Sequence, residues 1–199
     1  MFLRVSRLLF PQKQRGGGGY KLADITSYIT QRISYSTIMP ATYISTDNML
    51  QQCEGVVPYD GTPNIDSCIA YRKGDVLVSN IRPYLKKSWL ADCDGGCSPD
   101  VLVFRVSDTT KIMPEYLGAA LKQDDFFDFM MHGIKGMKMP RGDKSHIQNY
   151  NIPVPPLSKQ KRIVAEVSKY EAEIAKAKAV MDSAPARKQA ILRKYGVIA

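Results

Sequence analysis

The sequence predicts an α+β fold: a twisted, mostly antiparallel sheet with flanking helices, followed by a long C-terminal coiled-coil helix. Three observations support this prediction. Short β-branched and aromatic runs separated by Gly, Pro, Asn and Asp extend from Tyr20 to about Ser107. Apolar residues recur at helical spacing between Pro114 and Gly133, and a 4-3 apolar alternation then continues to the C terminus. A chain of 199 residues is long enough to bury one core and leave a helical appendage.

The N-terminal segment is separated from the rest of the chain by four consecutive glycines, Gly16 to Gly19. Such a run cannot hold a helix and behaves as a flexible link. Residues 1–19 are therefore predicted to form a tail outside the folded domain. Within the tail, the apolar residues before Pro11 have the pattern of the last turns of a helix that is stopped by proline.

The strands of the predicted sheet are short and are bounded by turn residues. The run from Val101 to Val106 is nearly all apolar, which is expected of a strand that is buried on both faces. Turns are predicted at residues 73–74 and 94–96, where glycine follows a polar residue. The strongest strand candidates are residues 69–72, 75–79, 88–91 and 101–106.

The segment between Pro114 and Gly133 is predicted to be one helix. Proline fits the first turn of a helix, and Gly133 is suited to close it. Phe126, Phe127 and Phe129 indicate core packing rather than a cofactor site. A loop rich in Gly, Met and Lys is expected to follow at residues 133–143.

The last segment has the sharpest periodicity in the chain, a 4-3 alternation of apolar residues that is interrupted at Lys188. Pro185 is expected to kink this helix or divide it in two. Two interpretations remain: the apolar seam faces a partner, or it packs on its own domain. A repeat held for about five heptads favours a partner. The seam residues are Ile163, Val167, Tyr170, Ile174, Ala177, Met181, Ile191 and Tyr195.

The charge balance points to a polyanionic partner. Lys and Arg total 28 against 19 Asp and Glu, which gives a net charge of +9. Nucleic acid, an anionic membrane surface and an acidic protein all remain possible on charge alone. No apolar stretch approaches the ~18 residues of a membrane span, and the apolar start is too short for a signal peptide. A cytoplasmic location without membrane association is therefore expected.

Known catalytic and cofactor motifs are missing from the sequence. It contains neither G-x-x-x-x-G-K-[ST] nor G-x-G-x-x-G, and it has two histidines and no nucleophile elbow. The chain is therefore predicted to be non-catalytic and to need no cofactor. Reduced thiols are favoured over a structural zinc site, because only one cysteine pair is closely spaced. The cysteines are Cys53, Cys68, Cys93 and Cys97.

Two clusters of basic and planar side chains lie in predicted loops, where they could reach DNA. Phosphates attract cations, whereas base edges match planar bidentate groups such as those of Arg, Asn and Gln. The alternative is that each cluster is an ordinary solvated surface. The candidate DNA-binding residues are Asn80, Arg82, Tyr84, Lys86 and Lys87 in the first cluster and Lys135, Lys138, Arg141 and Lys144 in the second.

Three motif blocks resemble the specificity subunits of type I restriction-modification systems. They are residues 74–87 (GDVLVSNIRPYLKK), residues 95–104 (GGCSPDVLVF) and residues 152–157 (IPVPPL), the last followed by Gln160 and by Arg-Ile-Val at 162–164. The resemblance covers about residues 20–199, and the blocks in this order are far more specific than any one of them alone.

The resemblance implies a target recognition domain over residues 20–156 that reads half of a split double-stranded DNA target, and a conserved assembly helix over residues 157–199. This helix would pair with that of a second half-subunit or a homodimer partner. It would also dock the modification subunits, which methylate adenine, and a restriction subunit would supply cleavage. Because the family's subunit carries two recognition domains, the chain is expected to be a half-subunit or a fragment. The alternative is an assembly or inhibitor protein that acts through the helix without reading DNA.

Overall fold

A computed structural model describes residues 19–135 and 140–197 of the chain. The described residues divide into two compact units, one up to residue 161 and one from residue 162 onwards. The predicted N-terminal tail lies outside the described residues except for Gly19, which begins the first strand. Within the described ranges, no helix has both the length and the apolar content needed to cross a membrane.

The first unit is built from short strands and short helices. In chain order, the strands are β1 (Gly19–Lys21), β2 (Thr26–Tyr28), β3 (Arg32–Ser34), β4 (Tyr43–Ile44), β5 (Ser67–Tyr71), β6 (Val76–Ser79), β7 (Ser88–Leu90), β8 (Gly95–Cys97), β9 (Val101–Val106), β10 (Ile134–Lys135), β11 (Arg141–Gly142) and β12 (Asn151–Pro153). The α-helices are α1 (Leu22–Ile25), α2 (Pro114–Ala120), α3 (Asp124–His132), α4 (Lys144–Ile147) and α5 (Leu157–Lys194). Single 3-10 turns are formed by Tyr35–Thr37, Pro40–Thr42, Gln51–Cys53 and Pro83–Leu85.

The strands form two four-stranded sheets and two ribbons. The first sheet has the order β2-β9-β6-β7 and is entirely antiparallel. The second has the order β3-β5-β8-β4, in which β4 and β8 pair in parallel. The ribbons β1-β12 and β10-β11 are antiparallel. The predicted α+β class with mostly antiparallel pairing and a long C-terminal helix is confirmed, although two sheets replace the single sheet that we expected.

The first sheet contains the best-predicted strand. β9 occupies residues 101–106, and its first four residues are buried as expected of a strand between two neighbours. Beside it, Asp75 is buried and accepts two hydrogen bonds of 2.7 Å from the guanidinium of Arg105. The Arg72 amide donates a third, at 2.8 Å. The buried carboxylate therefore has a complete set of partners.

The turn predicted at residues 94–96 is wrong, because Gly95 and Gly96 are strand residues of β8. A Cβ at Gly95 would overlap the Thr42 carbonyl and the Tyr71 hydroxyl, and one at Gly96 would overlap the Cys68 sulfur. These glycines permit close approach of neighbouring strands rather than a turn. The turn predicted at residues 73–74 is confirmed, and Gly74 adopts φ +89° there.

The helix predicted between Pro114 and Gly133 is divided into α2 and α3. The backbone becomes extended at Gln123 (φ −76°, ψ 147°), and α3 then begins with two aspartates. Negative charge in the first turn of a helix is stabilised by the helix dipole, which favours a new start at this point. The predicted end at Gly133 is confirmed, and Phe126 and Phe127 are buried as predicted.

Helix α5 begins in the first unit, where the buried Gln160 holds its first turn. The Gln160 side chain accepts from the Met113 amide at 2.9 Å and donates to the carbonyls of Lys111 (2.7 Å) and Pro155 (2.8 Å). The helix continues through Pro185 as one element, so the expected division there does not occur. In the second unit, the seam residues Met181 and Tyr195 are more than two-thirds exposed.

Candidate nucleic-acid interface

The two basic clusters predicted from the sequence are joined by backbone hydrogen bonds. β11 pairs with β10 in the register Lys135↔Arg141, and the opposite edge of β11 forms an antiparallel bridge with Ile81. In that bridge, the Arg82 amide donates to the Pro140 carbonyl at 2.9 Å. Segments that lie about 60 residues apart in the chain thus form one small ribbon.

The close approach of the two segments depends on Gly142. Its amide donates to the Asn80 carbonyl at 3.1 Å, and a Cβ at this position would lie 2.8 Å from both Asn80 Oδ1 and Ile147 Cδ1. Asn80, which we predicted to contact DNA, is 5% exposed. Its Oδ1 has no hydrogen-bond partner among the described residues, and its backbone amide donates to the Asp100 carbonyl at 2.8 Å. The structure therefore places Asn80 beneath the ribbon.

Arg82 and Tyr84 lie on a tight turn that faces solvent. The 3-10 turn Pro83–Leu85 is flanked by Arg82 (φ 50°) and Lys86 (φ 51°), both in the left-handed region. This conformation costs a residue with a side chain about 1–2 kcal/mol, so the surrounding structure must maintain it. Tyr84, at the apex, is 50% exposed, and Arg82 is exposed beside it.

Lys86 and Lys87 anchor this turn through contacts within the protein. Lys86 Nζ forms an ion pair with Asp124 at 2.6 Å, and Lys87 Nζ donates to the Thr46 carbonyl at 2.6 Å. Burial of the Lys87 ammonium lowers its pKa, and the nearby Arg82 adds to this effect. Both ammonium groups thus have partners inside the fold.

Arg141 and Lys144 are exposed on the other segment. Arg141 forms an ion pair with Asp100 at 3.2 Å, which orients its guanidinium at the ribbon. Lys144 lies 5.1 Å from the centre of the Tyr28 ring. Two candidates remain. For Lys135 the structure describes only the backbone, which pairs with Arg141, and Lys138 lies outside the described residues. We define the ribbon surface as Arg82, Tyr84, Arg141 and Lys144.

Sequence reasoning missed a turn that supports the ribbon surface. The Cys53 amide and thiol both donate to the Lys86 carbonyl, at 2.7 and 3.3 Å. Burial raises the pKa of this thiol to about 11, an effect that Lys122 partly opposes. No local pattern identifies Gln51–Cys53 as a turn, because it contains none of the usual turn residues.

Metal chemistry has no ligand set in the part of the chain that the structure describes, where no three His, Cys, Asp or Glu residues are grouped. The four cysteines form no disulfide in the described structure, and Cys68 and Cys97 are buried in neighbouring strands. Burial raises the pKa of the Cys97 thiol. The chemistry that this surface can offer is therefore cationic and planar hydrogen bonding, together with aromatic stacking.

In a comparison with protein families, residues 43–180 match the family described as type I restriction modification DNA specificity domain. Among curated proteins, the specificity subunit of the type I restriction enzyme EcoDI from Escherichia coli is 30% identical over 94 residues. That alignment covers 47% of this chain and 20% of the EcoDI subunit.

Solved structures show the same fold. The HsdS subunit from Thermoanaerobacter tengcongensis superposes with a TM-score of 0.67 at 24% identity, covering 92% of this chain and 50% of that one. A chain from a structural study of complex assembly and conformational transition in the type I R-M system gives 0.68 at 25% identity, covering 95% and 50%. This chain thus spans half the length of these solved chains, and its alignment with the curated relative covers about a fifth of that protein.

Proposed function

Because the chain belongs to the type I restriction modification DNA specificity domain family, we propose that it is a non-catalytic, sequence-reading component of a type I restriction-modification complex. It reads one half of a bipartite double-stranded DNA target. Through this reading, it directs methylation by the modification subunits and cleavage by the restriction subunit.

One observation carries the proposal: the bridge between Ile81 and Arg141 gathers exposed cationic and aromatic groups from two distant segments. The guanidinium groups of Arg82 and Arg141 match the two acceptors on the major-groove edge of guanine. Lys144 matches a phosphate, which positions the protein without reading sequence. The net charge of +9 favours association with a polyanion.

The proposal assigns a different role to each part of the chain. Residues 20–156 act as the target recognition domain, and residues 157–199 act as the assembly helix. The exposed apolar side chains of the helix support a partner, because Tyr170, Met181, Ile191 and Tyr195 are each 46% exposed or more. We propose that the seam pairs with the equivalent helix of a second half-subunit or a second copy and that the helix docks the modification subunits.

The test is a comparison of Arg141→Ala with Lys144→Ala in the full chain bound to its modification partner. Arg141→Ala should relax base preference at one position of the target by about 1–3 kcal/mol. Lys144→Ala should weaken binding to all duplexes alike and lower the slope of log affinity against log salt by about 1. Binding competition among sequence variants, repeated over a salt series, measures both effects.

The matched control is Lys111→Ala, because Lys111 is exposed and forms an ion pair with Asp108 at 3.1 Å. It should change neither base preference nor complex formation. Equal affinity of the parent complex for all duplex sequences would contradict DNA reading. In that case, retained binding of the modification subunits would identify the chain as an assembly protein that acts through its helix.

A further inference from the structure

Backbone strain is concentrated at one place in the described part of the chain. Four residues other than glycine have positive φ there: Gln52 (56°), Cys53 (56°), Arg82 (50°) and Lys86 (51°). They belong to two turns that are far apart in sequence but are joined by the hydrogen bonds from Cys53 to the Lys86 carbonyl. All four strained residues therefore lie in one structural feature, next to the ribbon surface.

The left-handed conformation disfavours residues that carry a Cβ, so a fold retains it only where the surroundings maintain it. Such residues are concentrated at binding and catalytic sites. The turn around Gln52 is closed by hydrogen bonds from the Leu50 amide to the Gly55 carbonyl at 2.9 Å and from the Glu54 amide to the Gln51 carbonyl at 3.3 Å. The surrounding structure thus sets the position from which the Gln52 side chain extends.

The side chain of Gln52 is available to a ligand. Gln52 is exposed, and no hydrogen bond joins its side-chain amide to a described residue. A strained backbone is not needed to solvate a surface glutamine, because an ordinary turn would do so at no cost. The neighbouring turn carries Arg82 and the half-exposed Tyr84. The hydrogen bonds from Cys53 to the Lys86 carbonyl hold Gln52 next to that turn.

We propose that Gln52 reads one adenine of the DNA target in the major groove. This inference rests on the proposed function and deepens it by naming a further specificity-determining residue. The glutamine side chain can accept a hydrogen bond from adenine N6 through Oε1 and donate one to adenine N7 through Nε2. Guanine presents two acceptors at the corresponding atoms and cannot form this pair, so the contact selects adenine.

The test is a binding selection with the full chain and a library of duplex DNA that has a randomised core, followed by sequencing of the bound fraction. The first variant is Gln52→Gly, since glycine adopts positive φ without strain and preserves the turn while removing the amide. Preference for adenine should fall by about 5- to 150-fold at one position of the selected target, and preferences at the other positions should remain.

A second variant, Gln52→Glu, distinguishes base reading from a structural role of the turn. It keeps the length of the side chain but removes the donor to adenine N7, and a carboxylate accepts well from cytosine N4. The preferred base at that one position should change from adenine towards cytosine. A merely structural role would not change which base is selected. Gln31→Gly and Gln31→Glu are the matched controls, because Gln31 is also an exposed loop glutamine.

The possible outcomes distinguish failure of the proposed function from failure of the role proposed for Gln52. A parent chain that selects no sequence would overturn the proposed function and this inference together. A parent that selects a defined target, with unchanged preferences at every position in both Gln52 variants, would overturn the role of Gln52 and leave DNA reading intact. Gln52→Glu should melt at the same temperature as the parent, and Gln52→Gly at the same temperature or higher, since neither substitution removes a hydrogen bond seen in the fold and glycine relieves the strain of the positive φ.

Discussion

The two units of the chain differ in how far they bury their apolar side chains and pair their charged ones. In the first unit, the sheets and short helices bury large apolar residues such as Phe104, Leu117 and Phe126, and the buried charge of Asp75 is paired with Arg105. In the second unit, the helix leaves Met181 and Tyr195 more than two-thirds exposed. A domain that buries its own core can fold alone, whereas a helix with an open apolar seam gains stability from a partner.

This difference indicates where each kind of substitution should act. In the first unit, stability depends on particular partners at short distances, so loss of one partner is costly. In the helix, the seam residue Ile163 is buried, but Met181, Ile191 and Tyr195 towards the C-terminal end are each more than half exposed. Substitutions in the exposed part of the seam should therefore affect association rather than folding. Three experiments test this comparison.

The largest effect is expected for Arg105→Met in the first unit. This substitution leaves the Asp75 carboxylate buried without its charged partner, which should lower the free energy of unfolding by about 3 kcal/mol. Urea denaturation followed by circular dichroism measures the change. Lys111→Met is the control: its ion pair with Asp108 is exposed, and the substitution should leave the denaturation midpoint nearly unchanged. Similar effects of the two variants would contradict the assigned role of the buried pair.

A smaller effect is expected for Ile174→Asp in the helix seam. If the seam binds a second copy, a charge at this position should weaken self-association at least tenfold, or about 1.4 kcal/mol. Sedimentation equilibrium over a concentration series measures the association. Ala179→Asp places the same charge on the opposite face of the helix and should leave association unchanged. A monomeric parent whose melting temperature falls with Ile174→Asp would show instead that the seam packs on its own domain.

The smallest effect is a pH dependence that arises at Cys53. Burial raises the pKa of its thiol from 9.0 to about 11, so the unfolded chain ionises first as the pH rises. The stabilisation is complete below about pH 9 and is lost as the pH passes through about 11. By about pH 10, the parent should lose about 1 kcal/mol more of its unfolding free energy than Cys53→Ala does. Parallel pH profiles of the two proteins would contradict a buried thiol at this position.

Prediction from the sequence succeeded where local patterns determine structure. The apolar run at residues 101–106 became the predicted buried strand, and Gly74 formed the predicted turn. The same rule failed at Gly95 and Gly96, because a glycine that permits a close approach between strands looks the same in sequence as a glycine that permits a turn. Only the neighbouring Tyr71 and Cys68 distinguish the two cases.

In the candidate site, too, local features could be predicted from the sequence and contacts between distant residues could not. Basic loop residues can be recognised in a sequence, but their partners cannot. The ion pairs of Lys86 with Asp124 and of Arg141 with Asp100 join residues about 40 positions apart, and Asn80 is buried rather than available to DNA. No sequence pattern marks Gln52 as a functional residue. The proposal for it depends on its strained backbone, which lies beside a turn that is distant in sequence.

The sequence by itself determined the class of the fold, the heptad seam of the last helix, the excess of positive charge and the motifs that resemble one family. Each of these depends on residue type and on spacing over a few turns or strands. The tertiary structure alone decided which cations remain exposed and which distant segments meet, as in the bridge between Ile81 and Arg141. The physical reason is that burial, hydrogen bonding and ion pairing depend on proximity in space, which the order of residues does not encode locally.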